Sequence, residues 1–144
     1  MIDQHTVAKS LVINDRNEVL VLVRTKNRHR PFEPDLPGGS VDHGEGELTA
    51  AVREIKEETG IVVQPKDMRL DYAKTYVYEG RNISVTKLLY TCRLPNAPTV
   101  TLASSEHETY VWCPIVLLME TYSFGEFYDE ALQYMSAHGL FSEV

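Results

Sequence analysis

Residues 47–59, ELTAAVREIKEET, place the tightest constraint on what this chain can fold into. Leu48, Ala51, Val52, Ile55 and Thr59 recur at i, i+3, i+4, i+7 and i+11, the spacing of a single apolar stripe on a helix. At about 100° per residue the five fall within an arc of roughly 100°. Gly60 follows where a terminating glycine belongs. A helix with one apolar stripe must bury it against another layer, so the rest of the chain has to supply that layer.

The flanking segments read as strands. TVAKSLVI alternates loosely, NDRN supplies turn residues, and EVLVLVRT is a β-branched run, which together predict a hairpin. Val19–Val23 is apolar on both faces, as a central strand covered on both sides would be. MRLDYAKTYVYE and NISVTKLLYTCRL form two further strands joined across Gly80–Arg81, and TYVWCP a short one stopped by Pro114. IVLLME is a helical turn, and Phe127, Ala131, Leu132 and Met135 mark a second amphipathic helix closed by Gly139. The order β-β-α-β-β-β-α predicts an α/β sandwich with a central mixed sheet.

A length of 144 residues fits one domain over 1–144. At this size a chain buries roughly 70% of its unfolded surface and needs no covalent staple. Cys92 and Cys113 belong to no CxxC or Cys/His cluster, so no disulfide framework is expected and a reducing, cytoplasmic setting is. The first ten residues lack the order of a signal peptide, and no apolar run approaches a membrane span.

The formal net charge is −7. Between Ser40 and Ile61 there are six acids against Arg53 and Lys56, net −4, so over half the imbalance sits in and before the helix. The acidic balance argues against a polyanionic nucleic acid, whose binding relies on clustered Lys and Arg, and no polymer of that kind is expected as a partner. On the helical wheel Glu54, Glu57 and Glu58 share an arc away from the apolar stripe, joined by Glu47. Glu54 and Glu58 repel at i,i+4, and Glu57 and Glu58 stand at the end of the helix dipole that disfavours anions. Two readings remain for such a face: a solvated surface softened by Arg53 and Lys56, or a seat for a hard divalent cation such as Mg²⁺, which prefers carboxylate oxygens.

The loop before the helix favours the second. Leu36-Pro37-Gly38-Gly39 is a tight entry whose glycines let backbone approach a ligand, and Gly44 and Gly46 flank Glu45. Gly39, five residues, Glu45, seven residues, then Arg53-Glu54-Ile55-Lys56-Glu57-Glu58-Thr59-Gly60-Ile61 resembles the full signature of the Nudix hydrolases, with every fixed position filled. The strand order around it is also similar to that family's fold, so the resemblance extends over the whole chain and implies a Nudix-type α/β/α sandwich.

The resemblance implies roles residue by residue. Glu54, Glu57 and Glu58 match the glutamates that bind Mg²⁺ or Mn²⁺. Arg53 matches the box arginine, and Glu45 the loop glutamate that pairs with it or joins the metal network. Gly38 and Gly39 match the loop that shapes the site. Family members are hydrolases acting on acid anhydrides: they cleave nucleoside diphosphates linked to another moiety, by metal-assisted attack of water on phosphorus. The general base is Glu57 within the box or a glutamate ahead of a Trp-bearing strand; in Ser105–Glu108, before Trp112, Glu106 is the choice over Glu108. Ser40 and His43 differ from common members at free positions of the pattern.

The substrate is a small nucleotide-type diphosphate. A nucleoside triphosphate, ordinary or oxidised, is the first expectation, with dinucleoside polyphosphates and nucleotide sugars also open. Tyr76 occupies the place where ADP-ribose hydrolases carry proline, while Tyr78 fits the tyrosine of dinucleoside polyphosphate hydrolases. Phe32, Tyr76, Tyr78 and Trp112 are aromatic groups that serve either to stack a base or to fill core and rim. The basic loop carrying Arg24, Lys26, Arg28, His29 and Arg30 is either a solvated connector or, through Arg28, a substrate-phosphate contact. A non-catalytic nucleotide-sensing module is the alternative, disfavoured because a pure binder has no need of every box glutamate. Monomer and homodimer are both open.

Overall fold

The computed structural model describes residues 1–141. Its strands are β1 (Asp3–Ile13), β2 (Glu18–Arg24), β3 (Pro34–Asp35), β4 (Gly38–Ser40), β5 (Met68–Tyr78), β6 (Ile83–Arg93) and β7 (His107–Pro114), and its helices α1 (Glu47–Thr59), α2 (Ile115–Thr121) and α3 (Glu126–Ala137). The β1–β2 turn works as its residues require. Asn14 Oδ1 accepts the N–H groups of Arg16 and Glu18 at 2.9 and 3.0 Å, and Asn17 takes the left-handed conformation at φ 60°.

The sheet is mixed. β6 runs parallel to β1 over the whole length of both, from Asp3↔Ile83 to Ile13↔Arg93, while β5–β6 and β2–β7 are antiparallel. β1 and β2 pair only beside their turn, at Ile13↔Val19, and then diverge. The segment 34–40 fills the opening: β3 pairs with β2, and β4 pairs with β1 through Lys9↔Gly38, Ala8↔Gly39 and Val7↔Ser40. These two short strands lie inside a stretch the sequence marks only as a glycine-rich entry.

Alternation assigns the two faces. Ala8, Val12, Leu20, Leu22, Leu88 and Cys92 pack under α1, where Ala51 and Ile55 meet them. Leu11, Ile13, Val19, Val21 and Leu89 pack on the other face with Leu118 of α2 and Phe127, Ala131, Leu132 and Met135 of α3. The doubly covered strand predicted at Val19–Val23 is therefore observed as β2, and the α/β/α layering follows from it. Cys92 and Cys113 lie in clusters on opposite faces and are both free, so no bond between them is available. No helix of the described residues is long and apolar enough to cross a membrane.

Candidate active site

The glycine entry and α1 meet at the opening between β1 and β2. A Cβ on Gly38 would stand 2.3 Å from the Ala8 carbonyl oxygen, and its φ of 144° lies in a region L-residues rarely adopt. Freed from any side chain, the Gly38 N–H turns toward α1 and donates to Glu58 Oε1 at 2.9 Å. Gly39 lies against Glu54, whose Oε1 would be 3.1 Å from an added Cβ. Gly60 ends α1 in the left-handed conformation, its N–H bonding the Lys56 carbonyl.

The wheel reading of the helix needs one correction. Glu57 is on the open face, with its side chain 57% exposed, but Glu58 is only 3% exposed and belongs to the interior. Glu58 follows Ala51 by seven residues, which brings it back to within roughly 20° of that buried alanine. It is a boundary position, and the glycine loop folds over it.

Arg53 organises the remaining acids. Its Nε and Nη2 grip Glu45 at 2.8 and 3.0 Å in a two-pronged bond, and Nη1 reaches Glu54 at 3.2 Å and Glu57 at 3.0 Å. The Arg53 bonds hold the Glu45 carboxyl below its ordinary range, while the guanidinium, bonded to Glu45 and facing Glu54 and Glu57, is pushed up. Glu45 thus serves as the partner of the arginine, one of the two roles the sequence left open. Lys56 bonds none of these acids among the described residues.

A cleft of about 270 Å³ lies over this junction, lined by Gly38, Gly39, Glu54, Glu58, Glu106 and Arg28 among others. Burial pushes the Glu58 carboxyl up to about 8, with the charges of Glu54, Glu106 and Asp35 adding to it against the Gly38 hydrogen bond. Glu54 is also raised, by burial and by Glu57 and Glu106, against the pull of Arg53. Arg53 bonds Glu54, whereas Glu58 pairs with no cation among the described residues and is bonded by the Gly38 N–H. Glu106 lines it and Glu108, exposed on β7, does not. Arg28 approaches Glu106 at 4.0 Å.

Other predicted residues fall elsewhere. Tyr78 is half-exposed at the end of β5 and lines neither this cleft nor the larger cavity beside it. By alternation it shares a face with Tyr72 and Tyr76, but those two pack against the α3 core and Tyr78 does not. Trp112 packs with the cluster beneath α1, Phe32 is exposed, and His43 stands outside the cleft.

The larger cavity, about 840 Å³, shares Lys9, Arg24 and Asp35 with the cleft as lining. Lys87 and Arg30 add two more cations, and Tyr122, Phe124 and Tyr128 supply aromatic surface from the α2–α3 connection and the start of α3. Burial, followed by the charges of Lys9 and Arg30, lowers the Lys87 ammonium, which lies over the rings of Tyr76 and Tyr128 at 5.7 Å. Sequence reasoning missed this group. The available signal was a lysine in the middle of each of two paired strands, Lys9 and Lys87, which lie two positions apart in the β1–β6 register.

A family model described as NUDIX domain matches residues 3–134. The chain is 35% identical over 79 residues to the asymmetrical bis(5′-nucleosyl)-tetraphosphatase of Caenorhabditis elegans, covering 55% of this chain and 56% of the relative. It is 30% identical over 79 residues to the 8-oxo-dGTP diphosphatase of Escherichia coli K12, covering 55% and 60%. The aligned part thus spans little more than half the length of these curated relatives. The MutT protein from Methanosarcina mazei Go1 superposes with a TM-score of 0.77 over 96% of both chains at 21% identity, which establishes the shared fold. The box from Gly39 to Ile61, the α/β/α sandwich that presents it and the match over residues 3–134 agree: the chain belongs to the NUDIX domain family.

Proposed function

We propose that residues 1–144 act as one Nudix unit, a divalent-metal-dependent pyrophosphohydrolase that cleaves a nucleoside diphosphate linked to another moiety. The observation that carries this reading is the convergence of Glu54, Glu58 and Glu106 in one cleft that shares a wall with a cationic cavity. An all-carboxylate donor set fits Mg²⁺ or Mn²⁺, and the Glu58 carboxyl, raised chiefly by burial and further by Glu54 and Glu106, is one that a cation would stabilise in its charged form. Glu54, Glu58 and Glu106 would hold the ion, with Glu57 at the rim. Bound there, the ion supplies Lewis acidity toward the phosphate oxygens and the attacking water.

The chain's own groups supply the rest. Arg53 fixes the rotamers of Glu45, Glu54 and Glu57. The bare backbone of Gly38 and Gly39 lets the loop lie against β1 and the Glu54 carboxylate, and so shapes the cleft wall that a phosphate would meet. Arg28 faces Glu106 from the basic loop, where it would meet phosphate oxygens. Glu106 is the group we assign to take the proton of the attacking water; Glu57 is the competing candidate. Lys9, Arg24, Arg30 and Lys87 would meet the phosphates beyond the scissile one, and Tyr122, Phe124 and Tyr128 a base. Four cations against Glu33, Asp35 and Glu126 leave a small positive excess, which favours a nucleoside triphosphate, ordinary or oxidised, over a nucleotide sugar. The relatives named as acting on bis(5′-nucleosyl) tetraphosphates and 8-oxo-dGTP are in keeping with this preference.

The test is a panel with Mg²⁺: nucleoside triphosphates, 8-oxo-dGTP, dinucleoside polyphosphates, ADP-ribose and nucleotide sugars, with products resolved by ion exchange. Cleavage of triphosphates ahead of nucleotide sugars is expected. Binding without cleavage of any member would replace this reading with a nucleotide-sensing module.

A further inference from the structure

A junction of four strands is buried beneath the cleft, and the chemistry above makes no use of the Asp35–His107 pair at its centre. Asp35 of β3, 5% exposed, accepts hydrogen bonds from Lys9 Nζ of β1, from His107 Nε2 of β7 at 3.0 Å and from the Leu36 N–H at 3.0 Å. Arg24 of β2 stands 3.5 Å from the same carboxylate. Burial works to raise Asp35, but the bonds from His107 and Lys9 and the charges of Lys9 and Arg24 hold it at about 2. Asp35 is therefore an ionised acceptor, and Nε2 carries the proton of the His107 bond.

His107 is fully buried, and its other ring nitrogen, Nδ1, has no hydrogen-bond partner among the described residues. An unpartnered buried nitrogen is costly, and a phenyl ring would fill the space without that cost. Packing alone does not account for a histidine here. One of its ring nitrogens and carboxylate oxygens of Glu58 and Glu106 all lie within 4.8 Å of one another.

The placement of these residues in the sheet explains what the bond can do. β3 and β7 flank β2 on opposite edges, since Leu22 pairs with both Asp35 and Tyr110. No ladder joins them directly, so the Asp35–His107 bond ties together strands that the sheet leaves apart. Gly38, three residues after Asp35, aims Glu58 through its N–H. Glu106 immediately precedes His107, and its own carbonyl is held by the Thr25 N–H at 3.1 Å. We propose that His107 is a positioning residue: through Asp35 it clamps the segment carrying Glu106 to the segment carrying Gly38, and so sets the separation of Glu58 and Glu106 across the cleft. This rests on the reading that these two carboxylates share a divalent cation.

Direct titration of Mn²⁺, followed by the electron paramagnetic resonance of the free ion and without substrate, tests the clamp independently of turnover. His107→Phe keeps the ring volume and removes the donor; it should weaken Mn²⁺ binding about tenfold or more, as loss of a group supporting a ligand does. His107→Gln places an amide donor near Nε2 and should stay within about threefold of wild type. In a Glu106→Gln background, His107→Phe should add less than about twofold, because its effect runs through Glu106. Equal losses in both backgrounds, or a His107→Gln as weak as His107→Phe, would overturn the clamp. So would direct coupling of a histidine nitrogen to bound Mn²⁺ in the wild type, which would make His107 a ligand. A wild type that binds no Mn²⁺ would instead overturn the metal reading on which the clamp stands. Thermal unfolding checks each variant; should His107→Phe not fold, His107→Asn, with too short an amide to reach Asp35, takes its place under the same expectation.

Discussion

Glu58→Gln should make the metal-free protein more stable, by an amount that grows as pH rises from 4.5 to 8. In the folded chain the Glu58 carboxyl is raised from 4.5 to about 8, chiefly by burial. A raised acid favours its protonated form in the fold, so it costs nothing below pH 4.5; the cost grows as pH rises and levels off above pH 8. At about 1.4 kcal/mol per pKa unit this amounts to about 1 kcal/mol at pH 5, about 3 at pH 7 and about 4 at pH 8, approaching about 5 at higher pH. Glutamine carries no such cost, and its side-chain carbonyl still accepts from the Gly38 N–H. Urea unfolding in EDTA at pH 5, 6, 7 and 8, followed by the fluorescence of the single tryptophan, Trp112, measures the difference directly. The stability gap between variant and wild type should widen with pH. Saturating Mg²⁺ should then restore the wild type by about 3 kcal/mol at 100 times its dissociation constant and leave the variant nearly unchanged. A gap that stays constant from pH 5 to 8, or a variant less stable than wild type at pH 8, would refute the account of Glu58 as a buried, under-neutralised ligand.

Other expectations follow from neighbouring residues. Glu57→Gln and Glu106→Gln should each lower kcat, the true base by about a hundredfold or more; if Glu57→Gln stays within a few-fold of wild type, Glu57 is excluded as the base. Gly38→Ala sets a Cβ 2.3 Å from the Ala8 carbonyl at φ 144° and should cost about 3 kcal/mol or more in urea unfolding, whereas a cost below about 1 kcal/mol would mean the loop relaxes freely. Arg53→Lys replaces a planar fork by a point charge, releases Glu45, and should lower kcat while leaving substrate KM nearly unchanged; a pure KM effect would count against its orienting role.

Much of this fold was readable because its determinants are local. The stripe from Leu48 to Thr59, the NDRN turn and the two-sided apolar run at Val19–Val23 each act within a few residues, and each became the element predicted. Glu58 was misread because a wheel assigns angles and not the loop that comes to lie on top; Gly38, twenty positions earlier, is what buries it. The cleft's box residues came with the motif, while Asp35 and His107, 72 residues apart, carry no shared pattern and meet only through the sheet. Tyr78 shows the complementary limit: alternation gives its face correctly but not how far α3 extends above it. The cationic cavity escaped notice for the same reason, since Lys9 and Lys87 become neighbours only through the parallel β1–β6 register.

The division of β1 between its neighbours also bears on mechanics. One edge is laced to β6 along all of its length, whereas the other is shared among a single β2 pair and the three-residue β4. The backbone ladder is continuous on the β6 side and short at the seam where the cleft opens, so there the 34–40 segment is held mainly by the side-chain bonds to Asp35 and the Gly38–Glu58 bond. Native-state hydrogen exchange would register this as slow amides along β1–β6 and fast ones in β3 and β4; equal protection on both sides would mean the seam is as rigid as the rest.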